Sequence, residues 1–215
     1  MLLRPMSDSF RGVCQCGPRP PTTDDRRLVE LETFMARLHN CSRGASGAMA
    51  VGGAGCYGRR VLSVGDIAPE FEADATDGRR LSLAEFRGKP VVLYFFPKAF
   101  TPICTRETVR FRDNYPELVA LGAEVIGVSS DSFEVECEFG RSQRVTFPLL
   151  ADPDRRICSA YGVLWPLLAR ARRITFVIGD TGLIELVLSH EFQVSKHLDG
   201  VLQHLQKRRS AAIRL

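Results

Sequence analysis

Cys104 has the setting of a reactive thiol. It follows an apolar run, residues 91–96, that reads as a buried strand ended by Pro97. Beyond Cys104 the chain turns polar, with apolar residues at helical intervals, so the cysteine is expected where a helix starts. First-turn N–H groups lack intrahelical partners and the helix dipole is positive there, which favours thiolate over thiol. Thr101, three residues earlier, can donate to one group while accepting from another, or simply cap the helix. Pro97 has no N–H and can cover a sulfur without offering a competing donor. Far along the chain, Arg172 and Arg173 head an apolar run ending at residue 178. A guanidinium can stabilise both a thiolate and a developing oxyanion, and strand alternation lets only one of the two face a site.

The remaining thiols and imidazoles carry less. Cys137 falls in a helical pattern over 133–144, and Cys158 sits where a small residue packs. Cys14-x-Cys16 lacks a second pair at ligand spacing, and Cys41 and Cys56 flank a Gly/Ala/Ser-rich stretch. His39, His190, His197 and His204 form no recognisable ligand set, so no metal is expected. Position 107 is Glu, which denies Cys104 the Cys-x-x-Cys spacing of a disulfide reductase.

Seven cysteines in a 215-residue chain is an odd number that suits a reducing compartment. The cytoplasm is the expected location, since residues 1–21 show no signal-peptide core. No apolar run approaches the ~18–20 residues needed to cross a bilayer. The net charge of +4 is modest and gathers locally, as in Lys207-Arg208-Arg209. Without a wider basic face, no nucleic-acid partner is expected.

The elements that must position Cys104 begin near residue 61. Residues 1–60 read as an extension with one amphipathic helix over 24–39, then a Gly/Ala/Ser-rich linker, and are expected to be largely disordered. Met49 is an alternative translation start. Residues 61–215 form the expected domain. A hairpin turn is expected at 76–79, strands over 91–96 and 124–129, and a short extended piece over 147–151. Helices are expected over 104–121 (kinked at Pro116), 133–144, 153–161 (Asp152 as N-cap, Pro153 first) and 194–207. Strands over 173–178 and 183–188 flank a turn at 179–182. This order gives an α/β fold with a mixed central sheet flanked by helices. Loops at the carboxyl ends of its parallel strands, such as 97–103, are where such sheets place their sites.

Pro97-x-x-x-Thr101-x-x-Cys104 resembles the active-site signature of the peroxiredoxin family. The segments 64–71, 111–113, 125–129, 147–152, 161–163 and 173–178 fit the same family in order. The resemblance spans roughly 61–207 and is nearest the bacterioferritin-comigratory, or Q-type, subgroup. It implies a thioredoxin-like fold and reduction of hydrogen peroxide and organic hydroperoxides without a cofactor. It also implies thioredoxin or a similar thiol as reductant, and a monomer or homodimer. On this resemblance Cys104 is the attacking sulfur, with Thr101, Pro97 and Arg173 completing the site. The product is a sulfenic acid that a second thiol condenses with.

The usual resolving position, five residues on, holds Val109. Some members carry that cysteine in the helix over 133–144, where this chain has Gly140. Cys137 lies three residues away on the same helix face and is the candidate. Otherwise Cys137 is a packed core residue and an external thiol resolves. Cys158 is a weaker candidate. The competing readings are a thioredoxin-fold disulfide oxidoreductase and a non-catalytic binding or chaperone module.

Overall fold

Side-chain alternation along a single strand divides the core in two. A computed structural model describes residues 60–212 apart from 166 and 169, so the expected extension lies outside the described residues, Arg60 excepted. The described residues fall in one unit. Its first pair of strands is a hairpin, β1 (Glu72–Asp74) and β2 (Arg80–Ser82). The turn between them needs Gly78, whose φ of 85° suits glycine. A 3₁₀ turn, Leu83–Phe86, follows, with Ser82 and Glu85 forming a capping box.

The main sheet has the order β5-β4-β3-β6-β7. Its strands are β3 (Val91–Phe95), β4 (Glu124–Ser129), β5 (Leu149–Ala151), β6 (Ile174–Ile178) and β7 (Ile184–Ser189). β3, β4 and β5 run parallel, while β6 and β7 are antiparallel to their neighbours, so the sheet is mixed as expected. β3 lies at the centre and all five of its residues are buried, which is why its apolar run does not alternate. Val91, Leu93 and Phe95 face a core shared with the hairpin, Tyr161 and helix α4 (Arg156–Ala160). Val92, Tyr94 and Phe96 face a second core. That core is built with α1 (Pro102–Asp113), α2 (Tyr115–Ala120), α3 (Phe133–Ser142) and α5 (Val194–Ala212). Cys104 belongs to the second core.

Two helix expectations are corrected. The helix expected over 104–121 starts earlier, at Pro102, and is two helices rather than one kinked helix. Pro116 cannot donate back to a carbonyl, and the chain breaks at Asn114. The helix expected from Pro153 begins only at Arg156, because Arg155 takes a left-handed conformation with φ 57°. Asp152 still caps it from outside, its Oδ2 accepting the Cys158 N–H at 2.8 Å. No helix among the described residues is long and apolar enough to cross a membrane.

Gly127 on β4 tests how tightly the second core closes. A Cβ there would meet Leu149 Cδ2 at 2.6 Å and Tyr94 Cζ at 2.7 Å. Gly127→Ala is expected to destabilise the fold by ~1–3 kcal/mol, read as a lower urea midpoint. An unchanged midpoint would show that Tyr94 is not packed against this strand.

Candidate active site

The junction of β3 and α1 presents Cys104 as the sequence suggested, at the third helical position. Thr101 is the N-cap and Pro102 the first residue. Cys104 is 1% exposed. The loop that leads to it contains Phe100, whose φ of 61° is strained for a non-glycine residue. Across from it, Arg173 immediately precedes β6 and is 3% exposed. Its Nη2 lies 3.1 Å from Cys104 Sγ. Arg172 turns elsewhere, with its guanidinium 5.3 Å from the Trp165 ring centroid. Pro97, Thr101, Cys104 and Arg173 all line one cavity of about 640 Å³. Pro102, Ile103, Trp165, Leu168 and Phe192 supply its apolar walls. Phe100 itself is 48% exposed and packs edge-on against Phe139 of α3.

The Thr101 hydroxyl does not cap the helix. It donates to the Lys98 carbonyl at 3.0 Å, so its single hydrogen is already committed. What it has left is lone pairs, able to accept from a bound O–H. Cys137 is buried on α3, and the Cys104 and Cys158 thiols are free. Cys158 is buried, and burial together with Asp152 pushes its thiol up, away from thiolate formation. Cys14, Cys16, Cys41 and Cys56 lie outside the described residues. Among the described residues no cluster of His, Cys, Asp and Glu could hold a metal.

Two buried titratable neighbours of the site escaped the sequence reading. Glu107 is fully buried, pairs with Arg173 Nη1 through Oε2, and leaves Oε1 without a hydrogen bond. Arg173 is further held by its Nε, which donates to the Glu191 carbonyl at 2.9 Å. His197 of α5 is also fully buried. Its Nε2 meets the His190 carbonyl at 2.9 Å, so that nitrogen carries the hydrogen, and Nδ1 accepts from the Thr175 hydroxyl at 2.8 Å. A signal for both was present. Cys104, Glu107, Thr108 and Phe111 share the buried face of α1 at helical spacing, and a glutamate on such a face needs a partner. His197 likewise stands among Val194, Leu198, Val201 and Leu205.

With this geometry in place, the similarity to known proteins is specific. The AhpC/TSA family model matches residues 64–187. Peroxiredoxin Bcp of Escherichia coli (strain K12) is 38% identical over 152 residues, 68% of this chain and 97% of that one. The chloroplastic peroxiredoxin Q of Gentiana triflora is 38% identical over 146 residues, 67% of each chain. The crystal structure of peroxidoxin BcpB from Mycobacterium tuberculosis has a TM-score of 0.65 at 33% identity, over 68% of this chain and 97% of its own. The chain belongs to the AhpC/TSA family of peroxiredoxins. It has their thioredoxin fold and is a thiol-dependent peroxidase.

Burial sets the titration of the two overlooked residues. It raises the Glu107 carboxyl to about 7 against the pull of Arg173, with Glu191 adding to the rise. It lowers His197 to about 4, so the imidazole is neutral at pH 7. A carboxyl raised in the folded state stabilises fully below its unfolded value of 4.5, and that contribution is lost as pH climbs through about 7. His197 runs the other way: its contribution is present above 6.5 and lost as pH falls through about 4. The Tm of wild type minus that of Glu107→Gln is therefore expected to fall steadily from pH 4.5 to 7.5, which thermal melts will read. A difference independent of pH would mean that burial leaves the Glu107 carboxyl unshifted between the folded and unfolded chains.

Proposed function

We propose that Cys104 is the sulfur with which this peroxidase attacks hydroperoxides. The observation that carries the reading is the 3.1 Å contact between Arg173 Nη2 and Cys104 Sγ at the wall of the cavity. The thiolate attacks the terminal oxygen of ROOH. An S–O bond forms as the O–O bond breaks, and the departing oxygen takes a proton and leaves as alcohol or water. Cys104 becomes a sulfenic acid. Arg173 stabilises the attacking thiolate and the charge that moves onto the oxygens. Thr101 accepts from the hydroperoxide O–H with the lone pairs its bond to Lys98 leaves free. Pro97 borders the sulfur without an N–H to compete for it.

The apolar cavity wall favours organic hydroperoxides alongside hydrogen peroxide. A second thiol then condenses with the sulfenic acid, releasing water. Cys137 is the proposed internal thiol, with an external thiol as the alternative. A thioredoxin-type dithiol closes the cycle. Cys104 is buried, so a bond to Cys137 requires local unwinding of α1 to reach disulfide geometry. The chain is proposed to act in the cytoplasm as a monomer or homodimer.

Peroxide consumption with thioredoxin or dithiothreitol as reductant is expected to vanish in Cys104→Ser. Equal rates in the two proteins would overturn the assignment. Reduced protein treated with one equivalent of peroxide and mapped by mass spectrometry is expected to show a Cys104–Cys137 disulfide. Trapped sulfenic acid on Cys104 with Cys137 still a thiol would leave resolution to an external partner.

A further inference from the structure

Outside the cavity, one buried cluster lacks enough hydrogens for the contacts it makes. Ser129 Oγ, at the end of β4, touches Asp131 Oδ2 at 3.1 Å and also Glu136 Oε1 of α3. It accepts in addition from the Asp131 N–H at 3.0 Å. A serine hydroxyl has one hydrogen. Two oxygen–oxygen contacts to carboxyl groups therefore need a second hydrogen, and one of the carboxyls must carry it. Glu136 is 0% exposed, receives no N–H bond and leaves Oε2 unpaired. Asp131 is part-exposed and accepts the Ala99 N–H at 2.7 Å. The hydrogen therefore belongs on Glu136, where ionisation would cost most.

Ala99 ties this cluster to the reaction, because it lies in the loop between β3 and Cys104. We propose that Glu136 is a positioning residue: its protonated carboxyl donates to Ser129, Ser129 donates to Asp131, and Asp131 holds the Ala99 amide of the Cys104 loop. The same helix supports that loop through Phe139, which packs on Phe96 and Phe100 at ring-centroid distances of 5.9 and 5.3 Å. A loop that contains a strained Phe100 depends on such holding. When Glu136 ionises, Ser129 can satisfy only one carboxylate, and two anions then share a largely closed site. The Ala99 anchor loosens and the Thr101–Cys104 arrangement is lost with it.

The electrostatic surroundings favour the protonated form. Burial raises Glu136 to about 8, the Ser129 hydrogen bond opposes this, and the Asp131 charge adds to the rise. From β3, the Tyr94 phenol senses Glu136 together with Glu107 and Cys104 of α1. Burial pushes that phenol well up, so it stays neutral. On α3 itself, Glu138 is exposed.

Glu136→Gln separates holding from titration. Its amide donates to Ser129 but cannot lose the hydrogen. Peroxide kcat/KM of wild type relative to Glu136→Gln is expected to be near unity at pH 6.5 and to fall about tenfold by pH 9, one unit above the Glu136 value of about 8. Cys104 ionisation is common to both proteins and cancels in the ratio. A constant ratio across this range overturns the proposal.

The activity readout rests on Cys104 as the reacting sulfur, so a second measurement avoids it. Hydrogen-exchange protection of the Ala99 amide, corrected for intrinsic rate, is expected to drop between pH 7 and 9 in wild type and in Cys104→Ser. It is expected to hold in Glu136→Gln. Unchanged wild-type protection overturns the proposal even if the peroxide assay is silent. A drop in protection in a protein that consumes no peroxide would instead sink only the catalytic reading.

Discussion

A single guanidinium, held almost out of water, links the distant parts of this chain. Arg173 touches Cys104 Sγ, Glu107 and the Glu191 carbonyl at once, so α1, the head of β6 and the segment after β7 must all dock before it is satisfied. A buried cation is costly unless paired, and here its partners are one carboxyl and one thiol. The two compete for it. Burial leaves Glu107 able to carry a proton near neutrality, which frees the guanidinium for the sulfur. A hydrogen bond to a charged group contributes ~1.5–3 kcal/mol, enough to decide which of them holds the charge.

The packing behind the cation serves the same end. His197 stays neutral between Thr175 and the His190 carbonyl, so it adds no second positive charge beside Arg173. Thr175 is two residues beyond Arg173 on β6 and is buried on the same side of the strand. In front of the cation, the loop before Cys104 reaches the cavity through a strained Phe100 and is tied back by Asp131. The site is thus closely packed where it meets the sulfur and apolar where it opens to solvent, at Trp165, Leu168 and Phe192. An exposed apolar rim suits a substrate with a hydrocarbon tail as well as hydrogen peroxide.

Much of the fold was legible because β3 states its own burial. An unbroken apolar run closed by Pro97 fits only a central strand, and Gly78 and the 179–182 turn mark both hairpins. The juxtaposition of Cys104 and Arg173 was legible only through resemblance, since nothing local joins residues 69 positions apart. Glu107 was read for what it denied, a second cysteine, and not for its place on a buried helix face. The split of α1 from α2 and the late start of α4 turn on single backbone choices at Asn114 and Arg155, which periodicity does not register. The Ser129–Asp131–Glu136 cluster needs tertiary proximity and hydrogen counting, so no pattern in the sequence announced it.

The central claim is that the Arg173 contact makes Cys104 the peroxide-reactive sulfur, and the chain contains its own reporter. Its single tryptophan, Trp165, lines the cavity. Stopped-flow mixing of reduced protein with peroxide should give a Trp165 fluorescence change whose rate is linear in peroxide concentration. Arg173→Gln, which keeps hydrogen-bond donors but removes the charge, should slow that phase by about tenfold or more, the loss of a charge-assisted bond of ~1.5–3 kcal/mol. Reaction of Arg173→Gln at the wild-type rate would contradict the claim.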